Sequence, residues 1–274
     1  MPIRYSAQAE KYCWKTKFMM ALPEVNEAKA DPGELRGRIE LSRVSFRYKA
    51  DGPVILKDVS LQILPGQFVA IVGPSGSGKS TLLRLLLGFD KPEAGTISYD
   101  GQELSGLDIQ SVRKQLGVVL QNGKLMPGDI YQNIVGSSQL ALEAAWEAAQ
   151  SAGLDEDIHQ MPMGMHTVLS EGAGTLSGGQ RQRLMIARAV VAKPRILIFD
   201  EATSALDNRT QGIVSRSLER LKATRIVIAH RLSTIINADK IIVVKGGSIV
   251  QSGTYAELID QDGLFAELAK RQLV

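Results

Sequence analysis

The chain is predicted to fold as an α/β protein on the strength of three observations. Residues 67–72 read as a buried strand, Gly73-Pro74-Ser75-Gly76-Ser77-Gly78-Lys79-Ser80-Thr81 fits G-x-x-x-x-G-K-[ST] at every specified position, and residues 81–87 read as a helix stopped by Gly88. Two further runs, 195–199 and 225–229, are almost wholly apolar, as strands buried on both faces of an open α/β sheet must be. Ahead of the loop, Val44, Phe46 and Tyr48 alternate with polar residues, and so do Val59, Leu61 and Ile63, which marks a small antiparallel sheet.

Length and composition set the limits. With 274 residues, 44% of them hydrophobic, the chain can fill one large core or two modest ones. Its 32 basic and 29 acidic side chains leave a net charge of +3, too weak an excess to argue for nucleic acid or an anionic membrane. Cys13 is the only cysteine, so no internal disulfide can form and a cytosolic setting is expected. No uncharged apolar run reaches the roughly 18 residues that span a bilayer, and the start lacks the apolar core of a signal peptide.

From the N-terminus, residues 1–22 mix Arg4, Lys11, Lys15 and Lys17 with Tyr5, Tyr12, Trp14 and Phe18 without forming a clean apolar face. Residues 23–37, which include Pro32 and Gly33, read as a linker. Residues 1–37 are therefore expected to be a poorly ordered leader and linker, and 38–274 the folded domain, with a helical part at about 125–192. Tyr48 ends its strand shortly before the glycine loop, where its ring can stack on a nucleotide base or simply pack in the sheet.

In the loop, glycines leave no Cβ in the way, so several backbone N–H groups can converge on one anion. The helix that opens there adds about half a positive charge. The Lys79 ammonium can bridge outer phosphates, and the Ser80 hydroxyl is placed for Mg²⁺.

Residues 117–120 read as a short buried strand delivering Gln121 at its carboxyl end, as a contact to Mg²⁺ and water or as an ordinary turn residue. Leu142, Ala145, Trp146 and Ala149 mark one face of a helix ending at Gly153, and residues 161–165 a methionine-rich loop with no metal-ligand spacing around it. Leu176-Ser177-Gly178-Gly179-Gln180 is a second glycine turn opening a helix over 181–191; it is a further anion-binding geometry or a plain serine N-cap. The strand at 195–199 ends in Asp200 and Glu201, which burial places at the ligand edge of the sheet. There Asp200 suits a Mg²⁺ partner, and Glu201 can polarise a water for attack on a γ-phosphate. The strand at 225–229 delivers His230, either a phosphate contact or a structural histidine. Residues 241–250 read as a hairpin turning at Gly246-Gly247, followed by short helices that bury Leu264, Phe265 and Leu268.

Taken together, the phosphate loop, Gln121, the turn at 176–180, Asp200-Glu201, Ser204-Ala205-Leu206-Asp207 and His230, in that order, resemble the ATP-binding-cassette (ABC) ATPases from about Arg38 to the end. The resemblance implies a P-loop NTPase (RecA-like) core with an antiparallel β subdomain and an α-helical signature subdomain. It gives Tyr48 the adenine-stacking role, Glu201 that of catalytic base, His230 that of γ-phosphate switch and Gln121 the Mg²⁺ and water contact. ATP and Mg²⁺ are the implied ligands. It also implies a head-to-tail pair in which Ser177, Gly178 and Gly179, with Gln180 behind them, close over the partner's ATP while Asp207 links the two sites.

Residues 230–234 and 253–258 are similar to the exporter branch, and residues 170–174 to bacterial peptide or bacteriocin exporters, although Gly172 stands after Glu171 where many exporters carry arginine. The implied partners are a second nucleotide-binding domain and a transmembrane domain at the cytoplasmic face of the membrane. Lacking membrane helices of its own, the chain is similar to a separated or truncated nucleotide-binding half. A soluble ABC ATPase working on nucleic acid or translation is the rival. It would call for a coiled-coil insertion, a duplicated cassette or a strong basic patch, and no nucleic-acid partner is expected.

Overall fold

A computed structural model describes residues 29–121, 123–170, 176–202, 205–229 and 231–272. Two strands open the fold: β1 (Ile39–Phe46) and β2 (Leu56–Ile63) pair antiparallel, with Ile39 opposite Ile63, Leu41 opposite Leu61 and Val44 opposite Val59. Buried residues fall at 39, 41, 44 and 46 on β1, so the alternation changes parity once. The register shifts on both sides of the Val44–Val59 pair, and Arg43 on β1 and Asp58 on β2 take left-handed φ of 49° and 50°. Such bulges leave backbone donors off the ladder. Serine hydroxyls take them up, Ser60 from the Arg43 N–H at 2.9 Å and Ser45 from the Asp58 N–H at 3.0 Å.

β3 (Phe68–Val72) leads through the glycine loop into α1 (Lys79–Leu86). The chain then returns to the first sheet as β4 (Ala94–Tyr99) and β5 (Gln102–Glu103), giving the order β2-β1-β4-β5. Half of the antiparallel sheet thus comes after the loop, not before it as the alternation implied. α2 (Ile109–Arg113), β6 (Leu116–Val119), β7 (Gly128–Asp129), α3 (Ile130–Val135), α4 (Leu142–Ser151), α5 (Asp155–His159), β8 (Val168–Leu169) and α6 (Gly178–Val190) follow. α3 and α4 pack on α6 through small side chains, Ala145, Ala148 and Ala149 among them. Leu142, placed on the buried face by its spacing, instead sits exposed in the first turn of α4.

The rest is β9 (Ile196–Asp200), α7 (Asn208–Arg220), β10 (Thr224–Ile228), α8 (Leu232–Ile235), β11 (Lys240–Lys245), β12 (Ser248–Gly253), α9 (Tyr255–Ile259) and α10 (Leu264–Gln272). The central sheet runs β12-β11-β3-β10-β9-β6, parallel except for β12 at the edge. Each parallel strand divides its side chains between two cores. Phe68, Ala70, Leu197, Phe199 and Val227 face the helices around α6, whereas Val69, Ile71, Ile196, Ile198 and Ile226 face α1 and the antiparallel sheet. This two-sided burial is the reason the strands are apolar throughout. Among the described residues no helix is long and apolar enough to cross a membrane.

The expected disorder of residues 1–37 needs correction for 29–37; residues 1–28 lie outside the described residues. Ala30 bridges to Leu107, and Leu35 is fully buried with its N–H on Gln115 Oε1 at 2.8 Å. The Asp100 carboxylate accepts the backbone N–H groups of Arg36 at 2.6 Å and Arg38 at 2.8 Å, and the Thr224 hydroxyl donates to the Gly37 carbonyl at 2.8 Å. Gly37 has φ 111°, and a Cβ there would lie 2.4 Å from Thr224 Oγ1, so only glycine fits.

Candidate active site

The carboxyl edge of the central sheet carries the site. β3 ends in the loop, β9 in Asp200 and Glu201, and β6 in Gln121; β10 lies between β3 and β9, and His230 beyond it falls outside the described residues. The loop is wedged so closely that two of its glycines are obligatory. A Cβ on Gly73 would lie 2.1 Å from the Val244 carbonyl, and one on Gly78 2.8 Å from Leu56 Cδ2. Gly73, Gly76 and Gly78 all have positive φ, at 151°, 75° and 105°. The Gly247 N–H donates to the Ser77 carbonyl at 3.1 Å, so the β11–β12 turn buttresses the loop from outside.

Pro74 is half-buried, Ser75 and Gly76 are exposed, and the buried Ser77 hydroxyl has no hydrogen-bond partner among the described residues. Lys79 is buried, and its Nζ donates to the carbonyls of Gly73 at 2.8 Å and Pro74 at 2.9 Å. Burial pushes this ammonium below the ordinary lysine value, while the negative charges of Glu201 and then Asp200 push it back up. Both acids therefore lie within electrostatic reach of the lysine. Ser80, one residue on, is exposed, and Thr81 is buried with its hydroxyl 3.0 Å from the Tyr48 hydroxyl. The Tyr48 ring is 54% exposed and rests edge-on against Phe46, with centroids 5.0 Å apart. It is thus tethered to the loop helix with a face left open.

Asp200 is buried and Glu201 half-buried. Glu201 takes φ 54°, a left-handed conformation that costs an L-residue on the order of 1–2 kcal/mol. Its N–H donates to the Ile228 carbonyl at 3.1 Å, and its carbonyl accepts Gln182 Nε2 at 3.0 Å. Gln121 is exposed three strand spacings from β3, roughly 14 Å. Among the described residues no hydrogen bond joins it to the loop.

The second glycine turn opens α6. Ser177 caps α6, its hydroxyl accepting the Gln180 N–H at 3.2 Å while Gln180 Oε1 accepts the Ser177 N–H at 2.9 Å. Gln180 Nε2 donates to Asp157 at 2.7 Å. Among the described residues, a Cβ on Gly178 would meet nothing within 4 Å, and one on Gly179 would touch the Ala205 carbonyl at 3.4 Å. Asp207 caps α7 and is held below the usual carboxylate range by hydrogen bonds from the Thr210 backbone and hydroxyl.

Gln182 and Asp157 were not picked out from the sequence. A signal for Gln182 was there, since it shares the buried stripe of α6 with Ile186, Ala189 and Val190, where a polar side chain calls for a partner.

Residues 56–204 match the ABC transporter family, which is more than half of the chain. The chain belongs to that family. It is 48% identical over 243 residues to the alpha-hemolysin translocation ATP-binding protein HlyB of Escherichia coli O157:H7, a match covering 87% of this chain and 34% of that protein. It is 43% identical over 254 residues to the leukotoxin export ATP-binding protein LtxB of Aggregatibacter actinomycetemcomitans, covering 91% and 36%. A solved structure of a bacterial Atm1-family ABC exporter with ATP bound is similar with a TM-score of 0.85 at 37% identity, over 97% of this chain and 48% of that one.

The chain thus spans about a third of the length of these curated relatives. It is an ABC transporter ATPase domain whose α/β fold is consistent with a P-loop NTPase core.

Proposed function

We propose that this ABC domain hydrolyses Mg²⁺-bound ATP in a head-to-tail pair with a second such domain, and that the cycle of pairing and release drives a membrane-spanning exporter. The observation that carries the reading is the difference between the two glycine turns. The loop at 73–81 has the acids Asp200 and Glu201 within electrostatic reach, whereas Ser177 and Gly178 stand exposed with open space before them. A turn with that shape suits a nucleotide held by another copy.

The residues fit the ligand. A Cβ on Gly76 would meet nothing within 4 Å among the described residues, which leaves open space before the loop, and the Lys79 ammonium lies against the loop carbonyls of Gly73 and Pro74. On the resemblance Ser80, Gln121 and Asp200 are assigned to Mg²⁺, Gln121 having to swing in from the end of β6 to reach it; the ion would supply neutralising charge to the phosphates. Glu201 takes a proton from the attacking water as its oxygen bonds to the γ-phosphorus and the bond to the β–γ bridging oxygen breaks; the leaving oxygen's charge is met by Lys79 and the N-terminus of α1. His230 is assigned the γ-phosphate contact and Tyr48 the adenine face. Asp207 is assigned the link between paired sites.

The Ser177→Arg variant tests the pairing. Such a change at an exposed N-cap should leave ATP binding intact yet stop turnover by filling the partner's site. Mixing it with wild type should lower wild-type turnover in trans. Full turnover by the purified variant would end the head-to-tail reading.

The membrane partner is assigned to the groove of about 290 Å³ bordered by Phe89, Arg113, Val118, Leu120 and Met185. Phe89 is exposed on its floor with the Arg113 guanidinium 4.6 Å from its ring, an aromatic anchor of the kind found at interface centres. β6 runs from this groove to Gln121, so a loop seated there abuts the active edge. Phe89→Asp should keep nucleotide binding and abolish co-purification with the integral subunit; undiminished co-purification would remove this surface. The domain then sits peripherally on the cytoplasmic face of the membrane, and on the resemblance its cargo class is a peptide.

A further inference from the structure

Glu201 owes its conformation to a residue on another element. Its left-handed φ of 54° persists only if its surroundings fix it, and they do so from two sides. β10 accepts its N–H through Ile228, and α6 donates to its carbonyl through Gln182. The same glutamine closes the other end of the segment, because Gln182 Oε1 accepts the Ala205 N–H at 2.8 Å. One buried amide thus bonds to both Glu201 and Ala205. Gln182 also lies in the first turns of α6, whose Gln180 and Arg183 both bond to Asp157, each at 2.7 Å. The turn offered to the partner's nucleotide and the turn bearing Glu201 are therefore joined through a few residues of one helix.

From this geometry we infer that Gln182 is a positioning residue that sets the direction of the Glu201 carboxylate and ties it to the placement of the Ser177–Gln180 turn. The inference rests on the reading of Glu201 as general base. A helix shift on closure over the partner's nucleotide is passed by the two amide bonds to Glu201 and Ala205, and the carboxylate comes into line. Without those bonds the pair still closes, but the water is not aligned.

The test compares Gln182→Met, which keeps length and loses both hydrogen bonds, with Gln182→Glu, which keeps the acceptor for Ala205 and regains the donor to the Glu201 carbonyl only when protonated. For Gln182→Met, ATP affinity by calorimetry and ATP-dependent pairing should stay within about twofold of wild type, while kcat falls roughly tenfold to a hundredfold, the scale of a small misplacement of a reacting group. Burial beside a carbonyl raises the introduced carboxyl's pKa, so the turnover of Gln182→Glu relative to wild type at the same pH should climb as pH falls from about 9 to 6. A merely structural role would give no such slope. Wild-type kcat in Gln182→Met, or a flat ratio for Gln182→Glu, would overturn the inference. Glu201→Gln run alongside separates the two claims: its near-normal turnover removes the base assignment, whereas an inactive Glu201→Gln beside a fully active Gln182→Met removes only the positioning role.

Discussion

Glu201→Gln is expected to lower ATP turnover by roughly a hundredfold or more, the usual worth of a positioned general base, while leaving nucleotide binding close to wild type. The change is nearly isosteric, and it leaves in place two backbone contacts that hold this residue, its N–H to the Ile228 carbonyl and its carbonyl to Gln182. What is lost is the proton acceptor. A carboxylate can take a proton from water, but an amide cannot. The negative charges of Glu201 and Asp200 both act on Lys79, the group that would meet the phosphates. Since hydrolysis is what separates the proposed pair, the variant should also accumulate as an ATP-held dimer. Phosphate release and light scattering with and without ATP measure both effects, and near-normal turnover would remove the assignment.

Local chemistry made part of this protein legible. The unit of β3, loop and α1 could be read because each boundary has a local cause: glycines at positive φ, and Gly88 at φ 65° just past the helix end. The strands β9 and β10 could be read because burial on both faces removes polar residues from the run itself. Other features depend on partners far away in the chain. β4 is short and its first three residues are exposed, so its membership of the antiparallel sheet rests on β1, many residues earlier. The segment at 29–37 has the proline and glycine of a linker, yet Asp100, Gln115 and Thr224 pin it, and nothing in its own composition shows those anchors. Gln182 is the same case within the site, since both its partners are backbone groups that β9 brings to α6.

Lys79→Ala should weaken ATP binding by roughly ten- to a hundredfold, because it deletes a charge-assisted contact worth on the order of 1.5–3 kcal/mol, at about 1.4 kcal/mol per decade of affinity. Calorimetric titration measures it, and unchanged affinity would contradict the assignment. Without nucleotide the same side chain has a different balance. Its ammonium is buried against the carbonyls of Gly73 and Pro74, and the net effect of burial and the two acids is a lowered pKa. The folded chain therefore holds this proton less well than the unfolded chain does. By linkage, folding gains stability as pH rises through the lowered value toward the ordinary lysine value, where the unfolded chain binds more protons. Lys79→Met, which keeps the stem and removes the titrating group, should lack that gain. Melting the nucleotide-free proteins across this alkaline window should therefore show wild type gaining on Lys79→Met as pH rises. A constant difference would mean that Glu201 and Asp200 already offset the burial of the charge, and that the lysine is held ready for phosphate without cost to the empty fold.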